Sequence, residues 1–266
     1  IVSIQAFQVS VPGAQYSLSF EVQNPIHGAN ASKVFVSGSG ITVTPVQAEN
    51  GPGNAAPLLI ADFLVKRVGQ STPSADAWNT ISITLVTRAS LLIGTKITVS
   101  GLTGSVTPDT DPIKVWNNNS NVLVSTEGTW NQNPGRVVTT VTSRSNASGT
   151  YEFQFVIRNP GQGQYPPPVF IETSGPIIIN QTQAESGMGN YAPMGIAQFT
   201  PNFGNNIGQV VPHASAMNTI QVTFTVSAAL PPGARVTISG LTGSLTPDGQ
   251  LYKMIDKGKP FVQLLH

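Results

Sequence analysis

The chain contains no cysteine, which excludes disulfides, thiolate metal sites and thiol nucleophiles within it. Charge is nearly as scarce. Asp, Glu, Lys and Arg make up 9% of the 266 residues and leave a formal net charge of +1, against about 25% charged residues in ordinary soluble domains. With Lys and Arg also scattered, the chain offers no electrostatic footprint for nucleic acid or an anionic membrane. No apolar run approaches the ~18 residues of a spanning helix, so no membrane insertion is expected of this segment. The only histidines are His27, His213 and His266, too few and too scattered for a shared proton-transfer or metal site. G-x-S-x-G, H-E-x-x-H and P-loop signatures are missing. A non-enzymatic protein without a cofactor is expected.

Ser, Thr, Asn, Gln and Gly fill the place of charge, and they fill it twice. Ile97 to Asp109, ITVSGLTGSVTPD, returns 139 positions later as Val236 to Asp248, VTISGLTGSLTPD. Tyr16 to Pro25, YSLSFEVQNP, returns after 135 positions as Tyr151 to Pro160, YEFQFVIRNP. Gln47 to Pro57, QAENGPGNAAP, returns after 136 as Gln183 to Pro193, QAESGMGNYAP. Such drift in a long-period echo marks tandem homologous units that differ by small loop insertions. Two repeats are expected, residues 1–127 and 136–266, joined by a short polar connector at 128–135 stiffened by Pro134. Together they read as a segment of a longer array.

Within each unit apolar residues alternate with polar ones. Tyr16, Leu18, Phe20 and Val22 share one face, as do Tyr151, Phe153, Phe155 and Ile157; Ile81, Ile83 and Leu85 match Ile220, Val222 and Phe224. That period of two predicts half-buried strands, with further strands at Val34–Ser37, Ile41–Val46, Val169–Glu172 and Ile177–Asn180. Strands are also expected at Val2–Val11, Ile113–Trp116, Val122–Val124, Tyr252–Ile255 and Phe261–Leu265. Short strands spaced by Gly, Pro, Asn and Ser turns, without a confident helix, predict an all-β chain of two tandem antiparallel β-sandwiches of immunoglobulin-like type. A jelly roll is the alternative topology.

The Q-A-E-x-G-x-G-N block is the best shared polar feature. Its glycines permit a tight reversal, and Glu49 and Asn54, or Glu185 and Asn190, would brace the loop or meet an adjoining repeat or a glycan. Trp130 in the connector is a second inter-repeat candidate. Trp78 and Trp116 could form a sugar-stacking platform, but their counterparts Met217 and Ile255 are core-type residues, so burial is expected. Asp109 and Asp111 have the oxygen chemistry of a calcium site, yet Asp248 in the other copy lacks the second carboxylate, and a solvated turn is the favoured reading. Asn30, Asn118, Asn146 and Asn180 open Asn-x-Ser/Thr sequons and are the glycosylation candidates.

The Y-x-L/F-x-F-x-V/I-x-N-P strand followed by the I-T-V/I-S-G-L-T-G-S-x-T-P-D block resembles tandem immunoglobulin-like repeats in very large surface proteins of unicellular algae and other protists. Some of these are similar to components of mastigonemes, the glycoprotein hairs of flagella. The resemblance implies an extracellular or cell-surface, glycosylated, fibrous role, with other copies of the repeat and attached glycans as partners. The expectation is therefore a structural module of a filament, hair or coat. The alternative is an adhesin or carbohydrate-binding pair.

Overall fold

The structure is a computed structural model and describes residues 2–6, 8, 10–40, 43–118, 122–199 and 205–247. Asp248 and the strands expected at Tyr252–Ile255 and Phe261–Leu265 lie outside the described residues. The described residues are all-β apart from two 3-10 turns, Gly53–Ala55 and Gly189–Tyr191. In chain order the strands are β1 (Phe35–Gly38), β2 (Val43–Gln47), β3 (Phe63–Gln70), β4 (Trp78–Thr87), β5 (Lys96–Ser100), β6 (Thr110–Asn117) and β7 (Val124–Asn131). They continue as β8 (Arg136–Val141), β9 (Thr150–Arg158), β10 (Phe170–Ser174), β11 (Ile179–Gln183), β12 (Glu185–Ser186), β13 (Asn206–Gln209) and β14 (Ile220–Thr223).

Ten of them form one sheet in the order β11-β10-β5-β8-β7-β6-β9-β4-β3-β12. All its neighbours are antiparallel except β12 on β3. Its two edge strands, β11 and β12, are separated in the chain by Ala184 alone, so the edges come together and the sheet is nearly closed into a barrel. β6 turns the corner: Thr110 to Lys114 pair with β7, and Val115 to Asn117 pair with β9. Closure removes most of the exposed edge that an open sheet of this length would present.

The sheet draws on both sequence copies. Strands β3 to β7 come from the first and β8 to β12 from the second, and the two sets interleave across the sheet. Residues 128–135, expected to be a connector, are instead the end of β7 and a tight reversal into β8, with Trp130 paired to Val137 and Asn131 to Arg136. The reversal is pinned from outside: Gln132 N–H donates to Asp109 Oδ1 at 2.7 Å, and Leu102 N–H donates to the Gly135 carbonyl at 2.9 Å. The expected division between repeats therefore falls inside the sheet.

Alternation explains the core. Along β4, Asn79, Ile81, Ile83, Leu85 and Thr87 point inward, and along β9 so do Tyr151, Phe153, Phe155 and Ile157. The two strands lie side by side from Trp78↔Arg158 to Val86↔Thr150, and their inner faces meet Val99, Leu102, Val115, Trp130, Val137 and Ile171 in one apolar cluster. The recurring S-G-L-T-G turn depends on its glycines. Gly101 and Gly240 have φ of +89° and +85°, and Gly104 and Gly243 of +90° and +83°, a left-handed region that glycine enters without steric cost.

The strand expected at Tyr16–Val22 is not formed. It carries no ladder, because a strand exists only against a partner, and none of the described residues pairs with it. The strand expected at Val2–Val11 is likewise not formed over its described residues.

Candidate assembly surfaces

Flanking the barrel are two segments that repeat its halves. Residues up to about 57 correspond to the β8–β12 half, and residues from about 198 correspond to the β3–β7 half. Each keeps a hairpin of its counterpart. The hairpin β1–β2, with Phe35↔Gln47 and Val36↔Val46, reproduces β10–β11, with Phe170↔Gln183 and Ile171↔Thr182. The hairpin β13–β14, running from Asn206↔Thr223 to Gln209↔Ile220, reproduces the β3–β4 stretch from Arg67↔Thr84 to Gln70↔Ile81. Tyr16 accepts a hydrogen bond from Val11 N–H at 2.8 Å, as Tyr151 does from Asn146 N–H at 2.6 Å. Short-range pairing needs only the local sequence, so these pieces form alone.

Among the described residues each flanking hairpin is a separate two-stranded sheet. Leu18 and Phe20 are 58% and 59% exposed, whereas their counterparts Phe153 and Phe155 are 1% and 0% exposed. Ile220 and Val222 are 40% and 38% exposed, where Ile81 and Ile83 are both 0%. Burying one such side chain stabilises by roughly 1.5–3 kcal/mol.

A buried amide network shows how the halves recognise each other. Asn79 Nδ2 donates to Gln70 Oε1 at 2.9 Å and to Asn159 Oδ1 at 2.8 Å, while Asn159 Nδ2 donates to the Thr72 and Ser74 carbonyls at 3.1 and 2.8 Å. Gln70 Nε2 donates to the carbonyls of Asn190 and Gly195 at 2.9 and 2.8 Å. Gln70 and Asn79 come from the first half, and Asn159 from the second. In the flanking segments Asn218 Nδ2 donates to Gln209 Oε1 at 2.8 Å and Asn218 Oδ1 accepts from Val211 N–H at 2.9 Å. Two members of the network are thus already set. The third, counted back 135 positions from Asn159, is Asn24, which stands exposed.

The Gly-rich block joins successive units. Asn54 Nδ2 donates to the Ser90 carbonyl at 2.7 Å while its Oδ1 accepts from Ser90 N–H at 2.9 Å. Asn190 grips Ala229 with the same two bonds, at 2.9 and 2.8 Å. An amide clamped at both ends fixes the angle at which one half leaves the next. Glu185 sits on β12 and pairs with Arg67 at 3.2 Å, both side chains being more than half exposed, a geometry of little energetic weight. Glu49 is exposed. Trp130 is fully buried, its indole N–H donating to the Thr107 carbonyl at 3.0 Å and its ring 6.3 Å from that of Phe155.

The other tryptophans correct their expected burial: Trp78 is 68% exposed and Trp116 44%. Both stand one residue out of phase with the inward set, next to buried Asn79 and Val115, so the pleat turns them to solvent. Trp116 lines an open depression of about 400 Å³ with Thr80, Asn117, Asn118, Gln154 and Val156. Of the sequon residues, Asn30 accepts from Arg88 and Asn118 donates to Gln154 Oε1 at 3.3 Å; Asn146 lies in the β8–β9 loop and Asn180 on edge strand β11, and all four are exposed. Asp109 is engaged with Gln132 as described, and among the described residues no group of three or more His, Asp or Glu is placed to hold a metal.

No family model matches the chain, and no curated protein matches it.

Proposed function

We propose that the chain is a non-catalytic structural repeat module of an extracellular glycoprotein filament, hair or cell-surface coat, with further copies as its partners and Asn30, Asn118, Asn146 and Asn180 as its glycan sites. The observation that carries this reading is the interleaving of the two sequence copies in one sheet. Units joined by shared β-structure and by the Asn54 and Asn190 clamps resist bending and pulling, as units strung on flexible linkers do not. A surface of hydroxyl and amide groups with little charge suits both attached sugar and close lateral packing. The finer fold reading that goes with it is a two-layer immunoglobulin-like sandwich, supported by the change of partners along β6. No cofactor or calcium enters this account. Electron microscopy of the native particle tests it: an axial rise matching one repeat is expected, and dispersed monomers would defeat it.

The depression at Trp116 favours a second reading, carbohydrate binding, since an exposed indole beside Asn117, Asn118 and Gln154 offers a stacking face and amide hydrogen bonds. Soluble oligosaccharides should then quench tryptophan fluorescence in the wild-type chain and not in Trp116→Ala. A glycan carried by Asn118 itself would occupy the same depression and abolish that response.

A further inference from the structure

We propose that Asn118 carries an N-linked glycan whose first sugar lies against the Trp116 indole and completes the outer face of the barrel there. This rests on the glycoprotein reading and states what one of its glycans does. The sequence supplies the acceptor, Asn118-Asn119-Ser120, and the pleat aims it. Trp116 faces outward on β6, so Asn118, two residues on, falls on the same side. Asn118 N–H donates to the Glu152 carbonyl at 3.0 Å, which carries the pairing with β9 one residue past the end of β6. The amide of Asn117 between them is engaged elsewhere: it donates to the Val124 carbonyl and accepts from the N–H groups of Leu123 and Val124. Asn118 itself is exposed.

Trp116 and Asn118 line one depression of about 400 Å³ with Thr80, Gln154 and Val156, and no charged side chain is among its walls. That lining suits a neutral amino sugar. The negative face of the indole attracts the C–H groups of a pyranose ring, and the hydroxyl and amide groups beside it meet the sugar's hydroxyls. Transfer from a lipid pyrophosphate-linked oligosaccharide breaks the bond between the anomeric carbon and the pyrophosphate oxygen and joins that carbon to Asn118 Nδ2, which gives up one proton. The lipid pyrophosphate leaves with the electrons of the broken bond. Nδ2 keeps its second hydrogen, and its present donation to Gln154 Oε1 at 3.3 Å can persist and hold the sugar over the depression. The covalent tether makes the contact intramolecular, so a stacking too weak to retain a dilute free sugar suffices. None of the other three sequons has an aromatic residue two positions before its asparagine, where Gly28, Arg144 and Ile178 stand.

The full chain, secreted from a eukaryotic cell that N-glycosylates, is compared with Asn118→Gln from the same cell. Peptide masses read the occupancy of each sequon, and hydroxyl-radical oxidation reads the accessibility of each tryptophan. Asn118 should be occupied, and Trp116 should oxidise several-fold more slowly in the glycosylated chain than in Asn118→Gln. Trp78, 68% exposed and outside the depression, should oxidise equally in both. The glycan should raise Tm by about 2–4 °C, and trimming it to its first sugar with an endoglycosidase should preserve that rise. Between Trp116→Ala and Trp116→Ala/Asn118→Gln the rise should vanish. Three results overturn the proposal: Asn118 bare in chains whose other sequons are occupied, Trp116 oxidised equally with and without the glycan, or a Tm rise that survives Trp116→Ala. The first of these leaves the glycoprotein reading standing, whereas sugar at none of the four sequons would reject both.

Discussion

Asn79 and Asn218 occupy one repeat position in two settings, so they separate what a residue does from where it sits. Asn79 is fully buried and its amide serves Gln70, Asn159, Ser71 and Thr72. Asn79→Ala strands several of those groups without water, and a loss of about 2–4 kcal/mol is expected in urea unfolding. Asn218→Ala, measured on dilute chains, should cost less than about 0.5 kcal/mol, since its site is open to solvent. A similar contrast holds for glycine. A Cβ on Gly101 would collide with the Pro168 carbonyl oxygen, whereas one on Gly240 meets nothing within 4 Å. Gly240→Ala should therefore cost only backbone strain, about 1 kcal/mol, and Gly101→Ala about 3 kcal/mol or more, read from the same unfolding curves. At this scale the sequence was more informative than the comparison of the two copies. Matching Trp78 to Met217 and Trp116 to Ile255 suggests burial, but the parity of Ile113, Lys114, Val115 and Trp116 already places Trp116 outward. The amide triad was not legible, because its members are far apart in the chain and only the pairing of β4 with β9 brings them together.

The strand β9 and its counterpart Tyr16–Val22 carry the same alternation, and only one of them is a strand. Periodicity states which face a segment will bury; it does not state that a partner is present. β9 has β4 on one side and β6 on the other, and its ladder follows from that enclosure. Backbone amides of residues 151–157 should exchange with solvent only on unfolding of the barrel, while those of 16–22 in dilute chains should exchange at nearly the unprotected rate. Phe155→Ala should cost about 3–5 kcal/mol, and Phe20→Ala almost nothing under the same conditions. Hydrogen exchange by mass spectrometry reads both segments in one experiment, and equal protection of the two would contradict this account. The hairpin β1–β2 was legible for the opposite reason, since its two strands lie a few residues apart, whereas β13, Asn206–Gln209, carries too little apolar alternation to be read as a strand.

A repeat of long period reveals its length and conceals its phase. The duplicated blocks are equally consistent with units beginning at residue 1 and with units beginning anywhere else in the period; pairing, not spacing, decides which strands share a core. Here pairing runs from Phe63 on β3 to Ser186 on β12. Digestion by a protease of broad specificity tests the choice, which matters because Lys and Arg together number only 13. Cutting needs a segment that can unfold locally into the protease cleft. The polar stretch 128–135 invites cleavage on composition, yet its turn is fastened to Asp109 and Leu102 and flanked by paired strands. Early cuts in dilute chains should instead fall within residues 10–30 and 210–245, leaving a resistant fragment that contains the whole of 63–196. Early cleavage inside 128–135, with two fragments of similar size, would show that the halves are held apart rather than woven together.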